Sequence, residues 1–245
     1  MTYCLAMQLR DGLVFAADSR TTAGVDYVST YRKLHVFQPS PDRFFVLLSS
    51  GSLATSQEVL DRLRRDLDAT APGQESLRNV NYLFEAASYL GRALIAVQSE
   101  HAVALRDSSI NGQATFILGG QIGDKAPALF LVYPEGNYIS ASEETPFLQL
   151  GEFKYGKPML SRIAAENLSL EDAARLALVS LDATMKSNIS VGPPLDVAIY
   201  RNDELKLAQH LQLDTDSPLL NSMLRRWSEG LLTAFKQLPR FDWES

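Results

Sequence analysis

The hydrophobic positions near the start of the chain follow the pattern of a buried β-hairpin. Residues 3–9 and 13–19 are two short apolar runs, and Arg10-Asp11-Gly12 joins them. Asp-Gly between two such runs is a strong hairpin signal. Both faces of the first run are largely apolar, so we expect a sheet that is covered on both sides rather than wetted on one.

Further strands and helices follow in blocks along the rest of the chain. Short apolar runs predict strands, and apolar residues at helical spacing predict amphipathic helices. The predicted strands are 33–37, 43–50, 114–120, 128–134, 137–141, 147–151, 195–201 and 205–211. The predicted helices are 53–69, 79–101, one opened by Pro158, one opened by Ser169 and one over 218–236. The apolar stripe of the last helix suits either ring contacts or packing on the protein's own sheet, and we expect the second.

The order of these blocks predicts the fold class. Strands, two helices, strands, two helices and strands again are expected when two largely antiparallel sheets stack face to face, with a helical layer outside each. No Ser/Gly/Pro-rich linker and no internal repeat divides residues 1–245. We therefore predict one domain of α+β class, a four-layer αββα sandwich.

Composition and charge exclude several classes of protein. The 245 residues are 46% hydrophobic, and 29 acidic and 23 basic residues are mixed along the chain to give a net charge of −6. The arginine-rich segment 61–68 pairs opposite charges at i,i+4 spacing, which is typical of a solvated helix face, so we expect no nucleic-acid partner. No secretory leader and no apolar run of membrane-spanning length is apparent, so we expect a cytoplasmic protein without a membrane partner.

The cysteine and the histidines predict neither a metal site nor a cofactor. Cys4 is the single cysteine, so no intramolecular disulfide can form, and its place in a strand suits a small core residue better than a nucleophile. His35, His101 and His210 are isolated in the sequence and lack the spacing of metal ligands. We expect the protein to work without a cofactor.

Thr2, directly after Met1, is a candidate nucleophile. Initiator methionine is generally trimmed when the next side chain is small, and trimming would leave Thr2 with a free α-amine beside its own hydroxyl. Such an amine has an ordinary pKa of about 7.7 to 8.0, so part of it is neutral at cellular pH and can act as a base. A threonine hydroxyl needs a base of this kind. From position alone, a threonine that merely begins a strand is favoured.

Three further residues favour a catalytic role for Thr2 over a purely structural one. Asp18 ends the returning strand of the hairpin, within a few residues of the position opposite Thr2. Lys33 begins an apolar strand, where it can extend to solvent or point inward beside Asp18 and lower the pKa of a nearby amine. Gly51 lies where a buried strand meets a helix, and unpaired N–H groups at such a junction suit a developing oxyanion. Taken singly, Asp18 is better explained as a turn former, and Gly51 can equally serve a tight turn.

Together these residues resemble the catalytic set of the proteasome-type N-terminal nucleophile hydrolases. Thr2, Asp18, Lys33 and Gly51 stand in TYCLAMQL, AADSRT, YRKLHVF and LSSGSLATSQ, at similar spacing from the threonine. The later segments TPFLQLGEFKYGKPML and SNISVGPPLD resemble the bacterial Anbu branch, the ancestral β-subunit type, and the HslV peptidase is a more distant likeness. The resemblance covers essentially the whole chain, and its motifs are specific in combination.

The resemblance implies a fold, an assembly and a reaction. It implies an αββα sandwich that forms a homo-oligomeric ring or spiral and hydrolyses peptide or amide bonds. It implies that the Thr2 hydroxyl attacks while its α-amine accepts and returns the proton, and that the Gly51 N–H binds the oxyanion. Lys33 and Asp18 are then expected to tune and orient these groups, and Ser190, by its match to the family, to hold the amine.

Two other functions remain open at this point. A non-catalytic ring subunit that binds or sequesters a partner would need none of Thr2, Asp18 and Lys33. An amide hydrolase acting on a modified or isopeptide-like bond would use the same residues. The chain has no G-x-x-x-x-G-K-[ST] phosphate loop, so a separate ATPase would have to unfold any folded protein substrate.

Overall fold

The computed structural model describes residues 2–23, 27–68 and 74–244. The strands are β1 (Tyr3–Leu9), β2 (Gly12–Asp18), β3 (Arg20–Ala23), β4 (Tyr27–Thr30), β5 (Leu34–Ser40), β6 (Arg43–Gly51), β7 (Ala114–Ile122), β8 (Ala128–Val132), β9 (Tyr138–Ser140), β10 (Phe147–Gly151), β11 (Leu195–Arg201) and β12 (Leu207–Leu213). The helices are α1 (Leu53–Asp68), α2 (Leu83–Asp107), α3 (Phe153–Ile163), α4 (Leu170–Ser187) and α5 (Pro218–Lys236).

Two five-stranded antiparallel sheets form the centre of the protein. The first has the order β10-β1-β2-β11-β12, and the second has the order β5-β6-β7-β8-β9. Helices α3 and α4 lie on the outer side of the first sheet, and α1 and α2 cover the second. This is the four-layer αββα arrangement that the order of the elements predicts.

Three apolar cores hold the four layers together. The middle core lies between the sheets and contains fully buried rings from both, among them Phe15, Phe44 and Tyr200. The other two cores lie between each sheet and its helices. Strands β1 and β2 therefore bury both of their faces, as their continuous apolar runs predict.

The first strand is held on both edges. Tyr3 pairs with Gly151 on β10, and Cys4 pairs with Ala17 on β2. The carbonyl of Thr2 accepts a hydrogen bond of 2.8 Å from the amide of Glu152. Gly151 has a φ of +75°, and a Cβ there would lie 1.9 Å from the Thr2 carbonyl oxygen. A glycine is therefore needed for β10 to approach so closely, and this contact fixes the backbone at Thr2.

Two expectations about the N-terminal half need correction. Strands β3 (Arg20–Ala23) and β4 (Tyr27–Thr30) form an extra antiparallel pair, which we did not predict because its mixed polar residues give no hydrophobic alternation. Helix α2 begins at Leu83 rather than at residue 79 and continues to Asp107. Its start is set by Glu85, whose carboxylate accepts hydrogen bonds from the amides of Asn81 and Tyr82.

Three expectations about the C-terminal half also need correction. Helix α3 begins at Phe153, so Pro158 lies inside it; the ring is exposed, and water can satisfy the carbonyl that the missing N–H leaves free. Strand β12 begins at Leu207 because the turn before it is longer than two residues. Helix α5 does not pack on the sheet along its length: Leu220 is its buried residue, and Phe235 is 70% exposed.

Candidate active site

A cavity of about 680 Å³ opens at the end of β6, where the first sheet meets the second. Thr2, Lys33 and Gly51 line it together. The residues from elsewhere in the chain that complete its wall are Thr21, Ser29, Tyr31, Ser49, Ser50, Ser52, Leu53, Ser56, Ile110, Asn111, Gly151 and Glu152. Three of the residues that the sequence singles out are thus brought to one concave site.

Thr2 is almost enclosed, with 9% of its surface exposed. Its carbonyl is committed to Glu152, and the next residue, Tyr3, begins β1. A chain end is ordinarily frayed, but here the pairing of β1 holds the backbone beside the cavity. The expected removal of Met1 concerns a residue that lies outside the described ones.

Asp18 and Lys33 form a buried ion pair. The Lys33 Nζ lies 2.7 Å from the Asp18 Oδ1, and the two residues are 5% and 0% exposed. Lys33 therefore points inward, and it also donates a hydrogen bond of 2.6 Å to the carbonyl of Arg20. A single buried charge would be strongly unfavourable, so each member of the pair requires the other.

Backbone amides hold the Asp18 carboxylate in place. The Tyr3 amide donates to Oδ1 at 3.0 Å, and the Gly192 amide donates to Oδ2 at 3.2 Å. Burial raises the pKa of Asp18, while the Lys33 ammonium and these two amides act against that rise. Because Tyr3 follows Thr2 directly, the carboxylate ties the position of Lys33 to the start of the chain.

Gly51 ends β6 in a conformation that glycine favours. Its φ is +98°, and a Cβ there would lie 2.4 Å from the carbonyl oxygen of Gln113. The amide of Ser49 donates to the Lys33 carbonyl at 3.1 Å. Amides of alternate residues point to the same edge of a strand, so we expect the Gly51 N–H to point past the start of β5 toward the cavity.

The junction after Gly51 is less open than the sequence suggests. The amide of Ser52 is not free for an oxyanion, because it donates to the Gln113 carbonyl at 2.8 Å. The Ser52 hydroxyl accepts from the Thr55 amide at 3.3 Å, as a helix N-cap does. Gly51 is thus the stronger candidate donor at this junction.

Ser190 lies in the loop after α4 but is not among the described residues that line the cavity. The backbone at Ser190 is held within the loop, because the Ser190 amide donates to the Asn188 Oδ1 at 3.0 Å. The same loop reaches the ion pair through the Gly192 amide. The role of Ser190 beside the amine stays a prediction.

The sequence reasoning missed a second buried carboxylate next to the pair. Asp196 on β11 is 0% exposed, accepts a hydrogen bond of 3.3 Å from the Ser19 hydroxyl and lies 3.0 Å from the His210 Nε2. Ser19 directly follows Asp18. The available signal was an acidic residue inside an otherwise apolar strand, because buried charges are rare unless they are paired.

Among the described residues that line the cavity there is no cysteine and no histidine. Burial raises the pKa of the Cys4 thiol, which keeps it protonated and inert, as expected of a core cysteine. Outside the cavity, Glu58, Glu100 and His101 come together on α1 and α2. Arg62 already bridges the two carboxylates at 2.6 and 2.5 Å, so this group is explained as an ion-pair network between the helices.

The match to known proteins decides the family. Residues 2–200 match the proteasome subunit family. The chain belongs to that family. A proteasome subunit beta from Haloquadratum walsbyi is 23% identical to it over 210 residues, which are 85% of this chain and 77% of that protein.

Solved structures of Anbu, the ancestral β-subunit, resemble this proteasome-family chain over nearly its whole length. Anbu from Yersinia bercovieri is 43% identical, with a TM-score of 0.89 and coverage of 98% of this chain and 99% of that one. The helical assembly of the Anbu complex from Pseudomonas aeruginosa is 41% identical, with a TM-score of 0.92 and coverage of 98% of both chains. The predicted family and the αββα fold are therefore confirmed.

Among the described residues, no helix combines the length and the hydropathy that crossing a membrane would require.

Proposed function

We propose that this chain is a proteasome-type threonine peptidase or amidase that uses Thr2 as its nucleophile after Met1 has been removed. The buried Lys33–Asp18 pair at the cavity that Thr2 lines carries the proposal. Burying two charges is costly, and a subunit that only builds a ring has no use for them there. The pair instead suits a site that must hold an amine and a hydroxyl under a fixed positive charge.

In the proposed reaction, the Thr2 Oγ attacks the substrate carbonyl carbon while its proton passes to the neutral Thr2 α-amine. The carbonyl π-electrons move to the oxygen, which the Gly51 N–H stabilises as an oxyanion. The tetrahedral species collapses, the C–N bond breaks, and the α-ammonium returns the proton to the leaving amine. Water then adds to the ester by the same route and releases the acid with Thr2 restored.

Lys33 and Asp18 act as positioning residues in this scheme. The Lys33 ammonium lowers the pKa of the neighbouring amine, so that more of it is the neutral base at cellular pH. The Asp18 carboxylate holds Lys33 through Oδ1 and the start of β1 through the Tyr3 amide. We propose that Ser190 orients the Thr2 α-amine, and substitution of Ser190 tests this role.

The experiment combines intact mass with covalent labelling of the purified protein. The protein should lack Met1, and a peptide vinyl sulfone should add once, at Thr2. The Thr2→Ala variant should neither label nor hydrolyse peptides, while Thr145→Ala, an exposed threonine outside the cavity, should do both at the unaltered rate. Labelling that persists in Thr2→Ala would move the chemistry to another residue, and no labelling of the processed protein would favour a non-catalytic ring subunit.

We further propose that the chain assembles with copies of itself as a ring or spiral. The similarity to Anbu, for which a helical assembly has been solved, supports this proposal. So does the exposed apolar side of α5, where Leu231, Leu232 and Phe235 are 47%, 55% and 70% exposed. Light scattering and electron microscopy should show oligomers, and Leu231→Ser with Phe235→Ser should weaken them. Monomers of the unaltered protein at micromolar concentration would contradict the proposal.

A further inference from the structure

A side pocket of about 410 Å³ adjoins the main cavity. Tyr31, Ser49, Leu53 and Ser56 line both spaces, so the two are direct neighbours. The side pocket lies between β5 and α1, on the face of β5 that carries alternate side chains toward the helix. A substrate lying in the main cavity can therefore send one side chain into it.

Two arginines lie in the side pocket. Arg32 directly precedes Lys33, and Arg64 projects from α1 with its guanidinium 5.9 Å from the Phe37 ring centroid. Both also line a further cavity beside His35. Burial first, and then the positive charges of Arg64 and Arg32, lower the pKa of His35 to about 4. His35 is thus neutral at pH 7, and the guanidiniums are the cations of the pocket.

The charges of the side pocket do not cancel. Asp61 is its acidic lining residue, and the Asp61 Oδ1 accepts from the Arg64 Nη1 at 2.9 Å. Within the described residues, the Arg32 guanidinium has no hydrogen-bonded or ion-pair partner. Arg64 presents further N–H groups beyond the one that Asp61 uses. The pocket therefore keeps a net positive charge.

The charged residues at the main cavity leave a net negative charge instead. Lys33 is neutralised by Asp18, and Glu152 contributes a carboxylate to the wall. Leu53 and the buried Leu60 give the side pocket an apolar wall along which a short hydrocarbon stem can lie. Apolar walls with a cationic end are suited to a carboxylate on a stem of two carbons, and a guanidinium can bind such a carboxylate through two N–H groups.

We infer that the side pocket, through Arg32 and Arg64, selects an acidic side chain, glutamate above all, on the residue whose carbonyl Thr2 attacks. The inference rests on the proposed function and names its substrate class. Arg32 directly precedes Lys33, and Tyr31 and Ser49 line both the side pocket and the cavity that Thr2 and Lys33 line. The residue on the acyl side of the attacked bond is the one that reaches it.

The test uses a series of peptide vinyl sulfones that are identical except for the side chain next to the reactive group. That side chain is glutamate, glutamine, leucine or lysine, and the rate of labelling of the assembled protein is followed by intact mass at pH 7. The glutamate probe should react at least about tenfold faster than the isosteric glutamine probe, since only the charge differs. The lysine probe should be the slowest.

Variants assign the preference to the two arginines. Arg32→Gln with Arg64→Gln should bring the glutamate to glutamine ratio close to one, and Arg64→Glu should turn the preference toward lysine. Arg65→Gln is the matched control: it lies next along α1, pairs with Asp66 and is absent from the described lining of the side pocket, so the ratio should hold.

The outcomes separate this inference from the proposed function. If Thr2 labels but leucine or lysine is preferred, or if the glutamate preference survives Arg32→Gln with Arg64→Gln, the side pocket inference is overturned and the threonine mechanism stands. If none of the four probes labels the protein lacking Met1, the proposed function fails and the inference fails with it.

Discussion

Replacing Asp18 by asparagine tests whether the buried ion pair is organised as described. The substitution keeps the shape of the side chain and removes the charge that faces the Lys33 ammonium at 2.7 Å. The asparagine oxygen can still accept from the Tyr3 amide, but its NH2 group would face the Gly192 amide, which is also a donor. The variant therefore loses a charge partner and gains a donor–donor contact.

The size of the effect follows from burial and distance. Two unit charges 2.7 Å apart attract by roughly 6 kcal/mol at an effective dielectric constant of about 20, and part of this is offset by desolvation of both groups. Breaking such a pair from one side costs about 3–5 kcal/mol, because the other charge remains buried. Asp18→Asn and Lys33→Met should each lower the free energy of unfolding by about this amount.

The double variant separates the pair from other effects of substitution. Asp18→Asn with Lys33→Met leaves no buried charge, so its loss should be about 1–3 kcal/mol, much less than the sum of the single losses. Urea denaturation of the four proteins gives the coupling energy directly. We expect at least about 2 kcal/mol, and a coupling below about 0.5 kcal/mol would refute the contact on which the site is built.

Three further substitutions test other parts of the description. Gly51→Ala should lower the free energy of unfolding by about 1–3 kcal/mol and slow Thr2 labelling, because its φ is +98° and its Cβ would meet the Gln113 carbonyl. An unchanged labelling rate would contradict the proposed role of the Gly51 N–H as the oxyanion donor. His35→Gln should flatten the pH dependence of stability. Burial lowers the pKa of His35 in the folded protein to about 4 from 6.5, so between these pH values only the unfolded chain binds the proton. The free energy of unfolding therefore falls as the pH falls, by up to about 1.4 kcal/mol per pH unit. Equal pH slopes of stability in the unaltered protein and in His35→Gln would contradict this. Tyr3→Phe should lower the free energy of unfolding by about 1–3 kcal/mol, because it removes the hydroxyl that lies 2.7 Å from the Ser180 hydroxyl and accepts from the Gln149 Nε2 at 2.6 Å. Ser180 keeps its bond to the Gly156 carbonyl, and an unchanged urea midpoint would show that the Tyr3 contacts are not made.

The N-terminal hairpin could be predicted because its signals are local. An Asp-Gly turn between two apolar runs specifies both strands and their pairing, and β1 and β2 follow the prediction to within a residue. The direction in which the Lys33 side chain points could not be predicted in the same way. The same strand start suits a lysine that extends to solvent, and only the approach of Asp18 from β2 decides between the two positions.

Other parts of the site depend on tertiary contacts that leave little trace in the sequence. Thr21 and Ser29 line the cavity from the β3–β4 pair, whose polar residues lack the alternation that marks a half-buried strand. Asp196 is an acidic residue in an otherwise apolar strand, and its partners Ser19 and His210 come from other strands or loops that the sequence does not place beside it. The side pocket joins β5 to α1 across residues that are far apart in the chain, so its two arginines look like ordinary surface cations in the sequence.

Helix α5 shows what an amphipathic pattern predicts and what it leaves open. The apolar stripe on 218–236 indicates a face suited to burial, but it carries no information on whether the covering surface belongs to the same chain. Within one chain, Leu220 is covered while Leu231 and Phe235 remain exposed. The match to the proteasome subunit family ends at residue 200, before α5 begins, whereas the solved Anbu structures cover nearly all of this chain. Helix α5 thus belongs to the part that this chain shares with Anbu beyond residue 200, and its exposed apolar surface supports the proposed contact with a second copy of the chain.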